Sequence, residues 1–436
     1  MSKKILKLSA YYEPEKFAEL HLEKDLFKTL SENDFQIEMY VSTPTRGVSQ
    51  EVYEKYKNIP YEEQFNGALK INRFKMRREG KNPISRALRY ISCNLKEYRL
   101  GIKAKGVDVV YCGSTPPTQG MLSALVAKKL SKKYKKKVPF IFNLQDIFPD
   151  SLVYTGLSKK NSLAYKIGSK ISNYTYKNAD KIIVISNAFK QNLIEKGVSE
   201  DKIAIVPNWV DTDLVYPVSR NENKIFSEFG IDNNKFIVSY AGNFGTAQNA
   251  EIILKAAKNL SNYSDIQFVV FGGGVGYDSA VEYVKTNNLI NVIINPLLPQ
   301  ERVNEVYSLG NVAIITCKAG SGKSAMPSKT WSIMACNTPI IASYDEDSEL
   351  AEIIKTSGGG YVAKPSDASA LEEAILNSYN DYKKGGLTCS SREYVLKNAS
   401  KSICVEKYLE IINSVLKQYE SYVFNGVISQ RISTRN

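Results

Sequence analysis

The sequence predicts an α/β protein made of two doubly wound, parallel-sheet (Rossmann-like) domains facing a cleft. Three observations lead there. At 436 residues the chain exceeds one ordinary core, given about 100–200 residues per domain. Short apolar runs of β type alternate with helical periodicity almost from end to end. That alternation pauses at a polar stretch near residue 213 and then begins again.

In the first half KILKLSAYY, FQIEMYVST, DVVYCGS, PFIFNLQD, KIIVIS and IAIVPN read as strands, each ending in small or polar residues. Residues 18–31, 119–132 and 162–178 between them have helical spacing. Strands apolar on both faces, separated by helices, belong in a parallel sheet covered on both sides. The second half repeats the scheme with FIVSYAG, a helix over 250–260, IQFVVFG, NVIINP, VAIIT, PIIAS and GYVAK. The expected domains are residues 1–212 and 226–393, joined by a linker at 213–225. Residues 394–422 are helical by period, a segment able to pack back on the first domain, and 423–436 form a loose polar tail.

Composition narrows the function. With 43% hydrophobic and 24% charged residues the chain is globular. It has no apolar run of about 18 residues and no signal-peptide pattern, so a cytoplasmic location is expected. Six scattered cysteines without metal-ligand spacing argue against disulfides and structural zinc. A single histidine, His21, leaves little room for a nucleophile–histidine mechanism. Net charge is +13, and residues 1–212 hold 37 Lys+Arg against 22 Asp+Glu, so the whole excess lies in the first half. Residues 70–105 and the run KKLSKKYKKK at 128–137 concentrate it. A polyanionic partner met by one domain fits this asymmetry, as does a solvated helix end for the lysine run alone.

In open α/β sheets ligands bind beyond the carboxyl ends of the strands. Four stretches qualify there: LQDIFPDS, YAGNFGTAQN, FGGGVG and AMPSK. GSGKS, at 320–324, has the tail of a phosphate-binding P-loop, but Cys317 stands where its other glycine is needed, so a nucleotide hydrolase is not expected.

Residues 179–217, ADKIIVISNAFKQNLIEKGVSEDKIAIVPNWVDTDLVYP, resemble the end of the first domain in glycosyltransferase family 4, including Pro207, Asn208 and Asp211. MACNTPIIAS at 334–343 is similar to a second segment of that family, with Asn337 where glycine is usual. STPPTQG, LQDIFPDSLVYTG, YAGNFGTAQ and PSK resemble its fucosamine-transferring O-antigen and capsule members. The resemblance implies the GT-B fold and retaining transfer of an N-acetylated amino sugar. The implied donor is a UDP-sugar, a substrate and not a cofactor, and the implied acceptor is a polyprenyl-diphosphate-linked glycan. It also shows departures. Asn243 and Gln248 occupy the register of the family's Arg and Lys, and Ser324 and Ser332 that of its two glutamates.

A leaving diphosphate in a site without a metal needs fixed dipoles and cations. Pro327, Ser328 and Lys329 are expected to open a helix and turn N–H groups and an ammonium toward it, with Lys318 or Lys323 assisting. The same residues also read as an ordinary helix start. Gly242 and Gly245 would let backbone approach the anion, while FGGGVG reads mainly as a flexible turn. Ser324 and Ser332 would bond sugar or ribose hydroxyls. No metal-ligand cluster stands out, so metal-independent transfer is expected. On the acceptor side Gln145, Asp146 and Asp150 follow a strand, and Asp146 either orients the acceptor or caps a helix. A lipid-linked acceptor gives the basic domain a purpose: peripheral attachment to the anionic inner face of the plasma membrane. Nucleic acid is not the expected partner, because the chain lacks zinc knuckles, an RNP-like pattern and a basic recognition helix. The alternatives are a nucleotide-sugar epimerase of the same fold and a non-enzymatic polyanion-binding protein.

Overall fold

The computed structural model describes residues 2–15, 17, 19–78, 82–154, 158–322, 326–387 and 389–433. It divides into two units, residues 1–206 with 405–436, and residues 207–404.

The first unit runs β1 (Lys3–Ser9), α1 (Leu20–Glu32), β2 (Phe35–Ser42), α2 (Gln50–Lys57), β3 (Tyr61–Gln64), β4 (Leu69–Phe74), α3 (Pro83–Gly101) and β5 (Val109–Gly113). It continues through α4 (Gln119–Tyr134), β6 (Phe140–Leu144), α5 (Asp150–Tyr154), α6 (Leu163–Asn178), β7 (Lys181–Val184), α7 (Asn187–Glu195) and β8 (Ile203–Ile205). The strands form one sheet in the order β3-β4-β2-β1-β5-β6-β7-β8, parallel except for the β3–β4 hairpin. Sequence patterning missed that hairpin. β3 is the polar run YEEQ at the sheet edge, and its turn needs positive φ at Phe65, Asn66 and Gly67 in succession. Apolar side chains of β1, β5, β6 and β7 pack with α4 and α7 into one core.

The second unit comprises α8 (Ile225–Glu228), β9 (Phe236–Asn243), α9 (Glu251–Asn259), β10 (Ile266–Gly273), α10 (Tyr277–Thr286), β11 (Val292–Pro296), α11 (Val303–Tyr307) and β12 (Val312–Thr316). It closes with α12 (Lys329–Ala335), β13 (Ile340–Ser343), α13 (Glu349–Ser357), β14 (Gly360–Ala363), α14 (Ala368–Lys383) and α15 (Ser391–Asn398). Its sheet has the order β11-β10-β9-β12-β13-β14 and is parallel throughout. Phe236, Val238 and Tyr240 of β9 enter the core beneath α9 and α14, while Ile237 enters the opposite one with Phe271 and Leu309. Both faces are therefore covered, as a near-continuous apolar strand requires.

The terminal helical stretch differs from the expectation of one segment at 394–422. It is α15 followed by α16 (Lys401–Ser433), broken at Ala399–Ser400, where Val210 pairs with Ser400 and Asp211 holds Lys401 at 2.7 Å. From Val405 onward the chain belongs to the first unit. There the Tyr408 hydroxyl donates to Asn143 (3.1 Å) and the Tyr419 hydroxyl to Asp180 (2.8 Å). Asn337 has φ +55° after α12, so the asparagine in a glycine's place supplies the left-handed cap by the next most tolerant residue.

Candidate active site

In the second unit the strand order reverses between β9 and β12, so the loops beyond their carboxyl ends diverge and leave a crevice. Lys329, the first residue of α12, crosses to the end of β9. Its ammonium donates to the Ala241 carbonyl (3.0 Å) and lies 4.2 Å from the centre of the Tyr240 ring. Lys329 as a whole is half-buried, but its ammonium is enclosed, and desolvation lowers its pKa from the ordinary 10.5 to about 7. Gly242 makes the arrangement possible, because a Cβ there would stand 2.9 Å from Nζ and 3.1 Å from the Tyr240 hydroxyl. The glycine thus admits the protein's own cation, where the sequence had implied close approach of backbone to an anion.

Gly245 is similar. The space a Cβ would fill holds the Gln248 amide oxygen at 2.5 Å and the Asn243 amide nitrogen at 3.2 Å. Across from it Gly274, at φ +89°, leaves room for Asn243 Oδ1, which would lie 1.6 Å from a Cβ. Phe244 N donates to Gly273 O (2.7 Å) and Gly276 N to Phe244 O (2.9 Å). FGGGVG is therefore a packed partner of GNFG, which corrects its reading as a flexible turn. The backbone of Phe244 holds these two loops together with Asn243 packed beside Gly274, while Gln248 stays within its own loop against Gly245.

The GSG of the apparent P-loop is occupied from within. Gly320 N donates to both oxygens of Asp345 (2.9 and 3.1 Å), and Gly322 N donates to Oδ2 at 2.8 Å. Those N–H groups, which would have to wrap a phosphate, already hold a carboxylate. Lys318 is exposed, with its N–H on Ala247 O (2.9 Å). Lys323 and Ser324 lie outside the described residues. Pro327 accepts from Thr330 N (3.0 Å), and Ser328 precedes α12 without a side-chain cap bond. Ser332 is half-buried one turn into the helix. Trp331 stacks on Tyr394 at an interplanar angle of 8°, fixing α12 against α15.

In the first unit the order reverses between β1 and β5. A cavity of about 220 Å³ opens there, lined by Lys7, Tyr11, Glu19, Glu23, Arg46 and Gly113 among others. Lys7 and Glu23 form a buried ion pair, with the Lys7 ammonium 5.1 Å from the Tyr111 ring centre. The second carboxylate oxygen of Glu23 has no hydrogen-bond partner among the described residues. Burial first, then the Glu23 charge, raise the Glu19 pKa to about 7 against the pull of Lys7, and Asp146 adds to the rise. Sequence reading missed Lys7, Glu19 and Glu23. Their signal was a lysine inside an apolar strand and two glutamates four apart on α1 and its entry.

The acceptor-side candidates separate. Gln145 donates to Asn143 (3.1 Å), and its N–H reaches Ser114 (3.0 Å). Asp146 is exposed; crowding of its carboxylate raises its pKa, a rise that water screens, and Ser151 at the start of α5 opposes it. Asp150 is taken up elsewhere, accepting from Tyr165 and Lys196 (2.7 Å each) and Asn192 (3.2 Å). Burial alone would raise its pKa, but these three partners outweigh it and the net shift is downward. Asp150 ties α5, α6 and α7 together, so its role is to hold the loop that carries Asp146. Among the described residues no group of three His, Cys, Asp or Glu side chains could hold a metal ion.

Two doubly wound units, each with polar groups at its sheet's switch point, make this a GT-B glycosyltransferase fold. Models of Glycosyltransferase Family 4 and Glycosyl transferases group 1 match residues 24–214 and 221–401. The chain belongs to that glycosyltransferase family. It is 27% identical to the probable glycosyltransferase WbjE of Pseudomonas aeruginosa over 347 residues, 79% of this chain and 84% of that one. It is 22% identical to the putative colanic acid biosynthesis glycosyl transferase WcaI of Escherichia coli over 276 residues, 62% and 67% of the two chains. The fold is similar to sucrose-phosphate synthase from Thermosynechococcus elongatus, with a TM-score of 0.70, 16% identity, and 95% and 100% coverage. It is also similar to Anabaena HepE in complex with UDP and glucose, with a TM-score of 0.66, 14% identity, and 94% and 100% coverage.

Proposed function

We propose that this chain is a retaining, metal-independent hexosyltransferase. It moves an N-acetylated amino sugar from a UDP-sugar to a polyprenyl-diphosphate-linked glycan, at the cytoplasmic face of the membrane, during assembly of a bacterial surface polysaccharide. The observation that carries the reading is the Lys329 ammonium, held at the end of β9 by the Ala241 carbonyl over the vacancy of Gly242. A lysine so desolvated is poised to gain a proton and a partner when a diphosphate arrives. In the first unit Asp146 would orient the acceptor hydroxyl, and the leaving phosphate would take its proton. The name of WcaI, a putative colanic acid biosynthesis glycosyl transferase, supports a polysaccharide product, and the complex of HepE with UDP supports the donor class.

A thermal-shift screen against nucleotide diphosphates and their sugars tests the donor half. Stabilisation by UDP and a UDP-sugar is expected, and silence toward every nucleotide would overturn the reading. Donor consumption should require an acceptor. Full turnover without one would identify an epimerase instead.

A further inference from the structure

Helices α3, α4 and α6 lie side by side on one face of the first sheet, α4 packing against α3 on one flank and α6 on the other. Together they contain one acidic residue, Glu97. That residue is fully buried and takes a hydrogen bond from Gln119 at 3.0 Å. Exposed cations lie along all three helices: Arg99 on α3, Lys128, Lys129 and Lys132 on α4, and Lys166 and Lys170 on α6. A helix that only needs to be solvated mixes acids with its lysines, because pairs four apart stabilise it. These helices forgo such pairs.

The same face presents apolar side chains outward. Leu88, Ile91 and Leu95 on α3 are 62%, 58% and 53% exposed, and Leu163 and Ile167 on α6 are 74% and 52% exposed. Their spacing sets Leu88, Ile91 and Leu95 on one stripe that ends at Arg99, and Leu163 and Ile167 one turn apart. Helix α1 does the reverse: it buries Leu22, Leu26 and Leu30 and carries acids among its lysines.

We infer that the α3–α4–α6 face is the membrane-docking surface of this chain, its leucines and isoleucines entering the headgroup boundary of an anionic phospholipid layer and its lysines and arginine pairing with the lipid phosphates. The inference rests on the lipid-linked acceptor proposed above. Charge complementarity selects this occupant. A second copy would set cation against cation, and a nucleic acid would leave the apolar stripes without a partner.

The test is co-sedimentation of the full chain with vesicles of phosphatidylglycerol and phosphatidylcholine, compared with phosphatidylcholine alone. The wild type should bind only the anionic vesicles, and added salt should weaken binding. Leu88→Ser with Ile91→Ser and Leu95→Ser should cut the partition coefficient at least about tenfold. Lys128→Ser with Lys129→Ser and Lys132→Ser should cut it by roughly fivefold per lysine. Both variants should keep the wild-type thermal midpoint and UDP-sugar shift. Undiminished vesicle binding by both variants would overturn the assignment, as would light scattering that shows a wild-type dimer lost in the leucine variant. A wild type indifferent to anionic vesicles would also sink it, while the UDP-sugar shift reports independently on the donor site.

Discussion

Replacing Lys329 with methionine separates a catalytic lysine from a structural one. The side chain keeps an unbranched apolar stem of nearly the same length but loses the charge that stands over the Tyr240 ring and donates to Ala241 O. A charge-assisted contact to a diphosphate is worth about 1.5–3 kcal/mol, so kcat/KM should fall about ten- to hundredfold. Stability should move the other way. The folded-state pKa of about 7 lies below the ordinary 10.5, so at neutral pH the unfolded chain binds more protons at this site. Enclosing the ammonium therefore costs stability, on the order of a few kcal/mol if it stays charged, and methionine removes that cost. In the wild type the cost is fully present below about pH 7 and fades toward pH 10.5, so stability from this group rises across that window. Donor affinity runs opposite, weakening above about pH 7 as the free lysine loses its proton. The assay pairs transfer kinetics with thermal midpoints, with and without UDP, over that pH range. Lys329→Met with undiminished transfer, or with a clearly lowered midpoint, would refute the donor role.

Asp146→Asn should lower kcat about tenfold or more while leaving the UDP-induced thermal shift unchanged, because the residue belongs to the first unit. Lys196→Met removes a partner of Asp150, whose folded pKa lies below 3.8. The stability this pair contributes is fully present above the ordinary carboxylate value of 3.8 and is lost as pH falls through the lower folded pKa, so urea midpoints of variant and wild type should differ at neutral pH and converge in acid below 3.8. Asp345→Ala strands the N–H of buried Gly322, while that of exposed Gly320 turns to water, and should destabilise by about 1–3 kcal/mol in urea. The wild type should hydrolyse no ATP, since Asp345 fills the loop that a phosphate would need.

The sequence by itself determined the α/β alternation, the two α/β units and the stretches proposed to carry the site. Period-two and period-3.6 patterns, and the glycines and prolines that end them, are local properties that a strand or helix declares on its own. PSK and GNFG could be picked out that way, because both sit where a strand ends and a helix begins. What each residue meets there is not local. Lys329 finds its carbonyl 88 residues back along the chain, Gly274 is glycine because of Asn243, and Asp345 closes a loop that resembles a phosphate cradle. Glu19 acquires its raised pKa from burial and from Glu23 and Asp146. In the same way, the outward leucines of α3 are distinguished from core leucines only by the sheet beneath them. Strand order brings these partners together, and strand order is settled by packing between distant segments, which only the tertiary structure decides.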